Sequence, residues 1–252
     1  MLNWEYLENF AECQKEQYAH QDPFPHAIAD GVFSPVYAQT MAYAFPGPNE
    51  PTWLGYDNRF EKKSIQNHEA QIPPVFVSLL RELNATRFIT FLEALTGIQG
   101  LVPDPHMRGG GLHQTRRGGK LDIHVDFNWH ERLKLDRRVN VLLYLNTEWD
   151  SSWGGALELW NADMTACKRR IDPVFNRMVI FNTTETSYHG HPEPLDCPVG
   201  VTRKSIAMYY YTNGRPVSEM TKPHSTLYQK RPGDETNEEI EELRRKRGLG
   251  RV

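Results

Sequence analysis

Before about residue 105 the apolar positions recur at helical intervals. Val75, Leu79, Leu80 and Leu83, then Phe88, Phe91, Leu92 and Leu95, form stripes between Pro74 and about Thr96, a three-and-four spacing that predicts helices burying one face. Helices are also predicted from Leu2 to roughly His20 and around Ser34 to Tyr43, while residues 46–51 and 60–72 read as loops. Beyond residue 105 the period shortens. Arg138 to Asn146 is a mostly apolar run expected to be buried on both faces, with Asn140, Leu142 and Tyr144 sharing one of them. A turn, Trp149 to Gly155, leads into alternation over Ala156 to Trp160. Met178 to Phe181 and Val201 to Tyr211 read as further strands, rich in β-branched and aromatic residues. After Thr212 to Pro216 the chain turns polar. His224 to Tyr228 is expected as a strap across the surface, and Thr236-Asn237-Glu238-Glu239 has capping-box form and opens a charged helix through Arg247, stopped by Gly248 and Gly250 and exposed to solvent.

Composition narrows the class. A chain of 252 residues with 39% hydrophobic positions can bury one substantial core, and we expect a single domain over 1–252, with 1–104 as helical support and 215–252 as a polar tail. A net charge of -3 argues against a general polyanion binder. The clusters Arg116-Arg117, Lys168-Arg169-Arg170 and Arg244 to Arg247 read as solvated faces rather than a nucleic-acid path. Cys13, Cys167 and Cys197 are an odd set without a Cys-x-x-Cys pair, which suggests neither a disulfide framework nor a zinc knuckle and fits a reducing cytoplasm. No apolar run approaches the roughly 18 residues that span a bilayer, and no membrane association is expected.

The chemistry is concentrated in three places. His124-Val125-Asp126 puts an imidazole and a carboxylate on one face of a strand. Tyr188-His189-Gly190-His191 follows the strand at Met178 to Phe181 and offers a third ligand in His189 or His191. Two histidines and one carboxylate form a facial triad, which leaves neighbouring positions of an octahedral Fe(II) open to a chelating cosubstrate and dioxygen. Arg203, on a strand face with Ser205, Ala207 and Tyr209, needs an anion. A guanidinium matches a carboxylate in a two-bonded fork, so a dicarboxylic cosubstrate is inferred, with one of the chain's own acids as the other possible partner.

In this order, Gly118 to Phe127 around His124 and Asp126, Tyr144-Leu145-Asn146-x-x-Trp149, Gly154-Gly155-Ala156-Leu157, Asn176 to Phe181, His189 and Arg203 resemble the 2-oxoglutarate and iron(II)-dependent oxygenases, in particular the prolyl 4-hydroxylase-like branch. Pro23 to Asp30 followed by Phe33-Ser34-Pro35 resembles the segment with which many of these enzymes begin. The resemblance implies a mainly β fold with supporting helices, a double-stranded β-helix (jelly-roll) whose core spans 105–214. It implies iron held by His124, Asp126 and His189, with His191 the rival third ligand or a residue of the substrate entrance. Arg203 and Tyr144 would bind 2-oxoglutarate, and Leu142, Leu157, Ala207 and Tyr209 would form pocket wall. Gln114 stands about where related enzymes place an aromatic residue.

The implied reaction is hydroxylation of an unactivated C–H bond, with Fe(II), 2-oxoglutarate and O2, decarboxylation to succinate, and ascorbate as a reductant. The branch suggests proline in a peptide or protein; a free amino acid or other small metabolite is the alternative. Phe127, Trp129 and Trp160 could stack on a proline ring. A metal-binding sensor and a cupin-like protein without 2-oxoglutarate turnover are the other classes these residues permit.

Overall fold

The computed structural model describes residues 1–235 and 238–248. In chain order the elements are α1 (Trp4–Tyr18), β1 (His26–Asp30), α2 (Pro35–Ala44), β2 (Leu54–Asp57), β3 (Glu61–Gln66), α3 (Pro74–Leu83), α4 (Thr86–Thr96), β4 (Val102–Pro103), β5 (Gly111–Arg116), β6 (Lys120–Val125), β7 (Trp129–His130), β8 (Leu135–Tyr144), β9 (Leu157–Trp160), β10 (Cys167–Ile171), β11 (Arg177–Asn182), β12 (His189–His191), β13 (Thr202–Thr212), β14 (Leu227–Tyr228) and α5 (Glu238–Gly248). No helix among the described residues is long and apolar enough to cross a membrane.

The strands form one curled antiparallel sheet in the order β1-β11-β8-β13-β5-β3-β6-β12-β9-β10, with β14 on β6, β2 on β3, β4 on β13 and β7 on β8. It folds back on itself. Tyr144, Val179 and Phe181 of β8 and β11 pack against Leu157, Leu159 and Ile171 of β9 and β10, so the two ends of the sheet face one another as a double-stranded β-helix. Strand parity then divides the labour. Val139, Val141 and Leu143 of β8, with Ile206, Met208 and Tyr210 of β13, turn outward to a large core shared with the helices, whereas Asn140, Leu142, Arg203, Ser205 and Ala207 line the interior.

The helices serve as backing. Pro35 and Pro74 begin α2 and α3, where a missing amide costs nothing, and Gly97 ends α4 in the left-handed conformation. The region expected as helical from Pro74 to Thr96 is two helices, because Ala85 is extended (φ -79°, ψ 154°) between Asn84 and Thr86. Phe76, fully buried, and not the half-buried Val75, starts the inner stripe of α3.

Two expectations need correction. The 60–72 stretch is no simple loop, since it contains β3, which pairs with β2, β5 and β6. Its run Glu61-Lys62-Lys63-Ser64 lacks apolar alternation because Glu61 and Lys63 face cavities beside the site rather than core. The C-terminal segment is likewise less exposed than its polarity suggests. Tyr228 is buried and stacked on Phe60, with ring centres 4.6 Å apart, and Ile240 of α5 packs on both. Thr236, Asn237 and Gly250 of the predicted cap and stop lie outside the described residues.

Candidate active site

His124 is the penultimate residue of β6, Asp126 follows the strand, and His189 opens β12. The two histidines are direct cross-strand partners, with ring centres 4.5 Å apart. His124 Nε2 lies 3.5 Å from Asp126 Oδ1, and His189 Nε2 lies 3.4 Å from Asp126 Oδ2. One ligand atom from each residue falls within 4.8 Å of the others. Both rings are oriented from behind in the same way, because His124 Nδ1 donates to Asp122 O at 2.9 Å and His189 Nδ1 donates to Ser187 O at 2.8 Å. A carbonyl can only accept, so each Nε2 keeps its lone pair for a metal.

The electrostatics favour ligation. Burial pushes the His124 imidazole below its usual value, and the neighbouring His189 adds to this, so the ring is held neutral. Burial would raise the Asp126 carboxyl, but the Arg137 guanidinium and His189 overcome it and hold the group well below the usual carboxylate range. The donor set is therefore two imidazole nitrogens and one carboxylate, the chemistry that Fe(II) accepts in a facial triad.

Beside the triad lies an inner cavity of about 80 Å³. Leu142, Leu157, Ala207 and Tyr209 line it, together with Arg203 and His191. Arg203 Nε donates to Gly155 O at 2.7 Å and Nη2 donates to Tyr144 Oη at 3.1 Å. Gly155 has φ +76°, and a Cβ there would lie 3.1 Å from Arg203 Cδ, so glycine is what lets the loop cradle the arginine. Tyr144 is fully buried and does not line the cavity. It holds the arginine, and burial raises its phenol more than Arg203 lowers it.

Alternation along β5 changes one expectation. Gln114 points to the outer side, near Tyr56 and Arg117, while His113 and Thr115 face the interior. His113 is opposite Ser205, and Thr115 is opposite Arg203. His113 and Lys63 were missed as site residues. The period-two pattern through Arg116 could have found His113, but the polar β3 carried no such signal. His113 Nε2 and His191 Nδ1 are buried without a hydrogen-bond partner, a condition that costs about 1–3 kcal/mol each. A dicarboxylate in this cavity fits that unused polar capacity and the Arg203 cation. Burial, reinforced by Lys63, pushes His113 down to about 3.

An outer cavity of about 280 Å³ opens on the other side of His124 and Asp126. Tyr56, Glu61, Lys63, Arg108, Phe127, Thr226 and Tyr228 are among its walls. Of the three aromatic residues considered for stacking, Phe127 lines it, while Trp129 and Trp160 do not. Trp160 is buried and donates to Glu158 Oε2 at 2.8 Å. His191 belongs to the inner cavity rather than this entrance.

Residues 110–211 match the family model described as 2OG-Fe(II) oxygenase superfamily. No curated protein matches the chain. Among solved structures, the chain resembles a prolyl hydroxylase from Trichoplax adhaerens in complex with a hypoxia inducible factor peptide fragment, at 16% identity and TM-score 0.59 over 84% of this chain and 94% of that one. It also resembles a Pseudomonas putida prolyl-4-hydroxylase, at 15% identity and TM-score 0.59 over 81% and 100%. A third is HygX from Streptomyces hygroscopicus with nickel, 2-oxoglutarate and hygromycin B bound, at 14% identity and TM-score 0.52 over 84% and 96%. The triad, the arginine pocket and the family match fall on one stretch of sequence, residues 110–211, which is similar to the 2OG-Fe(II) oxygenase superfamily, on a fold like that of the prolyl hydroxylases.

Proposed function

We propose that this protein is an Fe(II)- and 2-oxoglutarate-dependent dioxygenase that hydroxylates an unactivated C–H bond, acting as a prolyl hydroxylase-like enzyme on a peptide or protein. The observation that carries the reading is the convergence of His124, Asp126 and His189 within 4.8 Å, beside an inner cavity that Arg203 lines. When bound together, Fe(II) and 2-oxoglutarate supply oxidising chemistry from dioxygen, with decarboxylation to succinate.

The chain's own residues set the geometry. His124, Asp126 and His189 hold the metal from one side. Arg203 receives the far carboxylate of the cosubstrate through the guanidinium edge that Gly155 and Tyr144 leave unused, and Leu142, Leu157 and Ala207 exclude water from the stem between. Substrate enters from the outer cavity, whose walls include the aromatic rings of Phe127 and Tyr209. Ascorbate is part of the proposal as an external reductant.

A second reading is favoured by the size of the outer cavity. About 280 Å³ is near the lower end of small-molecule sites, and its walls carry Glu61, Lys63 and Arg108, which suits a charged metabolite or free amino acid. The HygX structure holds hygromycin B beside nickel and 2-oxoglutarate. Anaerobic titration with Fe(II) and 2-oxoglutarate tests the reaction class through the visible absorption of the chelate. Succinate release and oxygen incorporation, read by mass on proline peptides against free amino acids with and without ascorbate, decide the substrate. An absent chelate band would overturn the reaction class.

A further inference from the structure

Two side chains on β8 grip the carboxylate of Asp126 from behind. Arg137 Nη2 donates to Asp126 Oδ2 at 2.9 Å, and Asn140 Nδ2 donates to the same oxygen at 2.7 Å. The donors are joined to each other, since Arg137 Nε and Nη2 donate to Asn140 Oδ1 at 3.0 and 2.8 Å. A closed triangle results. Arg137 is 1% exposed, and its guanidinium carbon lies 4.5 Å from the Phe127 ring centre and 3.5 Å from that of Tyr209. These rings stand at 85° to one another and form a corner that the guanidinium cannot swing out of. A buried cation is tolerated only when fully paired, and here the carboxylate, the amide oxygen and two aromatic faces pair it.

Both bonds fall on Oδ2. The other oxygen, Oδ1, receives neither and lies 3.5 Å from His124 Nε2, while the clamped Oδ2 lies 3.4 Å from His189 Nε2. We propose that Arg137 and Asn140 are positioning residues for metal binding, which lock the Asp126 carboxylate so that Oδ1 is presented as a single-oxygen ligand. The proposal rests on His124, Asp126 and His189 being the ligands. Two effects of Arg137 oppose one another. Its charge repels a divalent cation, so that electrostatics alone makes its removal tighten metal binding. The clamp orders the ligand in advance, so that its loss loosens binding, by about 10–100-fold where outer residues support a ligand. The sign of the change separates them.

Co(II) is the probe, because its visible bands report coordination directly. In the full-length protein, Arg137→Met and Asn140→Leu should each raise the Kd for Co(II) by about 10–100-fold and alter the visible spectrum, with Arg137→Lys recovering part of the affinity. Circular dichroism and thermal unfolding identify variants that keep the fold, and Asn140→Leu decides the matter if Arg137→Met does not fold. Unchanged or tighter Co(II) binding with an unaltered spectrum in folded Asn140→Leu overturns the clamp while leaving the ligand assignment intact. Failure of the wild-type protein to bind Co(II) overturns both.

Discussion

His189 Nε2 lies 3.4 Å from Asp126 Oδ2, across a pairing in which β12 inserts between β6 and β9. The contact exists because β12 pairs directly with β6, with His189 opposite His124. The pairing brings the late histidine beside the His-x-Asp strand and makes a candidate ligand set from groups far apart in the chain.

The first prediction concerns that set. His124→Ala and Asp126→Ala each remove one donor of three, and both should abolish stoichiometric Fe(II) binding and succinate formation, as followed by metal titration and product assay. Full activity in the Asp126 variant would refute the assignment.

His189 and His191 should behave differently. His189→Ala should lose the metal, whereas His191→Ala should keep it and change the 2-oxoglutarate requirement, because His191 lines the inner cavity beside Arg203. Parallel titrations with Co(II) and then 2-oxoglutarate make the comparison. Metal loss in the His191 variant alone would exchange the two roles.

Arg203→Met removes the cation of the inner cavity. A charge-assisted bond contributes about 1.5–3 kcal/mol, so the half-saturating 2-oxoglutarate concentration should rise about 10–100-fold with little change in Co(II) affinity. Tyr144→Phe should have a smaller effect of the same kind, about 0.5–1.5 kcal/mol, since it removes one acceptor of the arginine.

How much of this was readable beforehand depended on whether residues faced core or cavity. The strands β8, β11 and β13 announced themselves because burial on both faces leaves runs rich in apolar, β-branched and aromatic residues, and the ligand motif because alternation puts His124 and Asp126 on one face. Strand β3 did not, since its side chains Glu61 and Lys63 serve cavities and its place depends on backbone pairing with β5 and β6. Arg137 was hidden for a related reason. A charged residue at the start of a strand reads as surface, and only the three-dimensional arrangement of Asp126, Phe127 and Tyr209 shows why it is inside.

Gly190, between the two histidines of β12, offers a test of packing. A Cβ there would lie 2.7 Å from Leu121 O and 2.8 Å from Asp122 O, both backbone atoms of β6 that cannot move aside cheaply. Gly190→Ala should destabilise the fold by about 1–3 kcal/mol and weaken Co(II) binding by prising β12 from β6. Thermal unfolding and metal titration measure the two effects, and wild-type values in both would show that the strands have slack.

The strap should respond to pH. Burial opposes the charge on His224, yet its 2.9 Å bond to Glu185 raises it above the ordinary 6.5, while Glu185, also opposed by burial, is lowered below 4.5 by the same bond. The histidine's contribution is complete below its unfolded value and is lost as pH rises through the raised folded value. The glutamate's contribution is complete above its unfolded value and is lost as pH falls through the lowered one. Anchoring should therefore be strongest between roughly pH 4.5 and 6.5 and weaken towards alkaline pH. Limited proteolysis near residues 217–224 across that range checks it, and His224→Gln should flatten the profile.

Strand β14 pairs Leu227 with Val125 and Tyr228 with His124, on the margin of β6 that β3 leaves uncovered after Leu121. Without those two residues, the backbone amides and carbonyls alongside His124 would become a bare seam, and such seams recruit strands from other molecules. Cutting the chain before Leu227 would thus leave a sticky protein, in which lost solubility and lost iron would have the same origin.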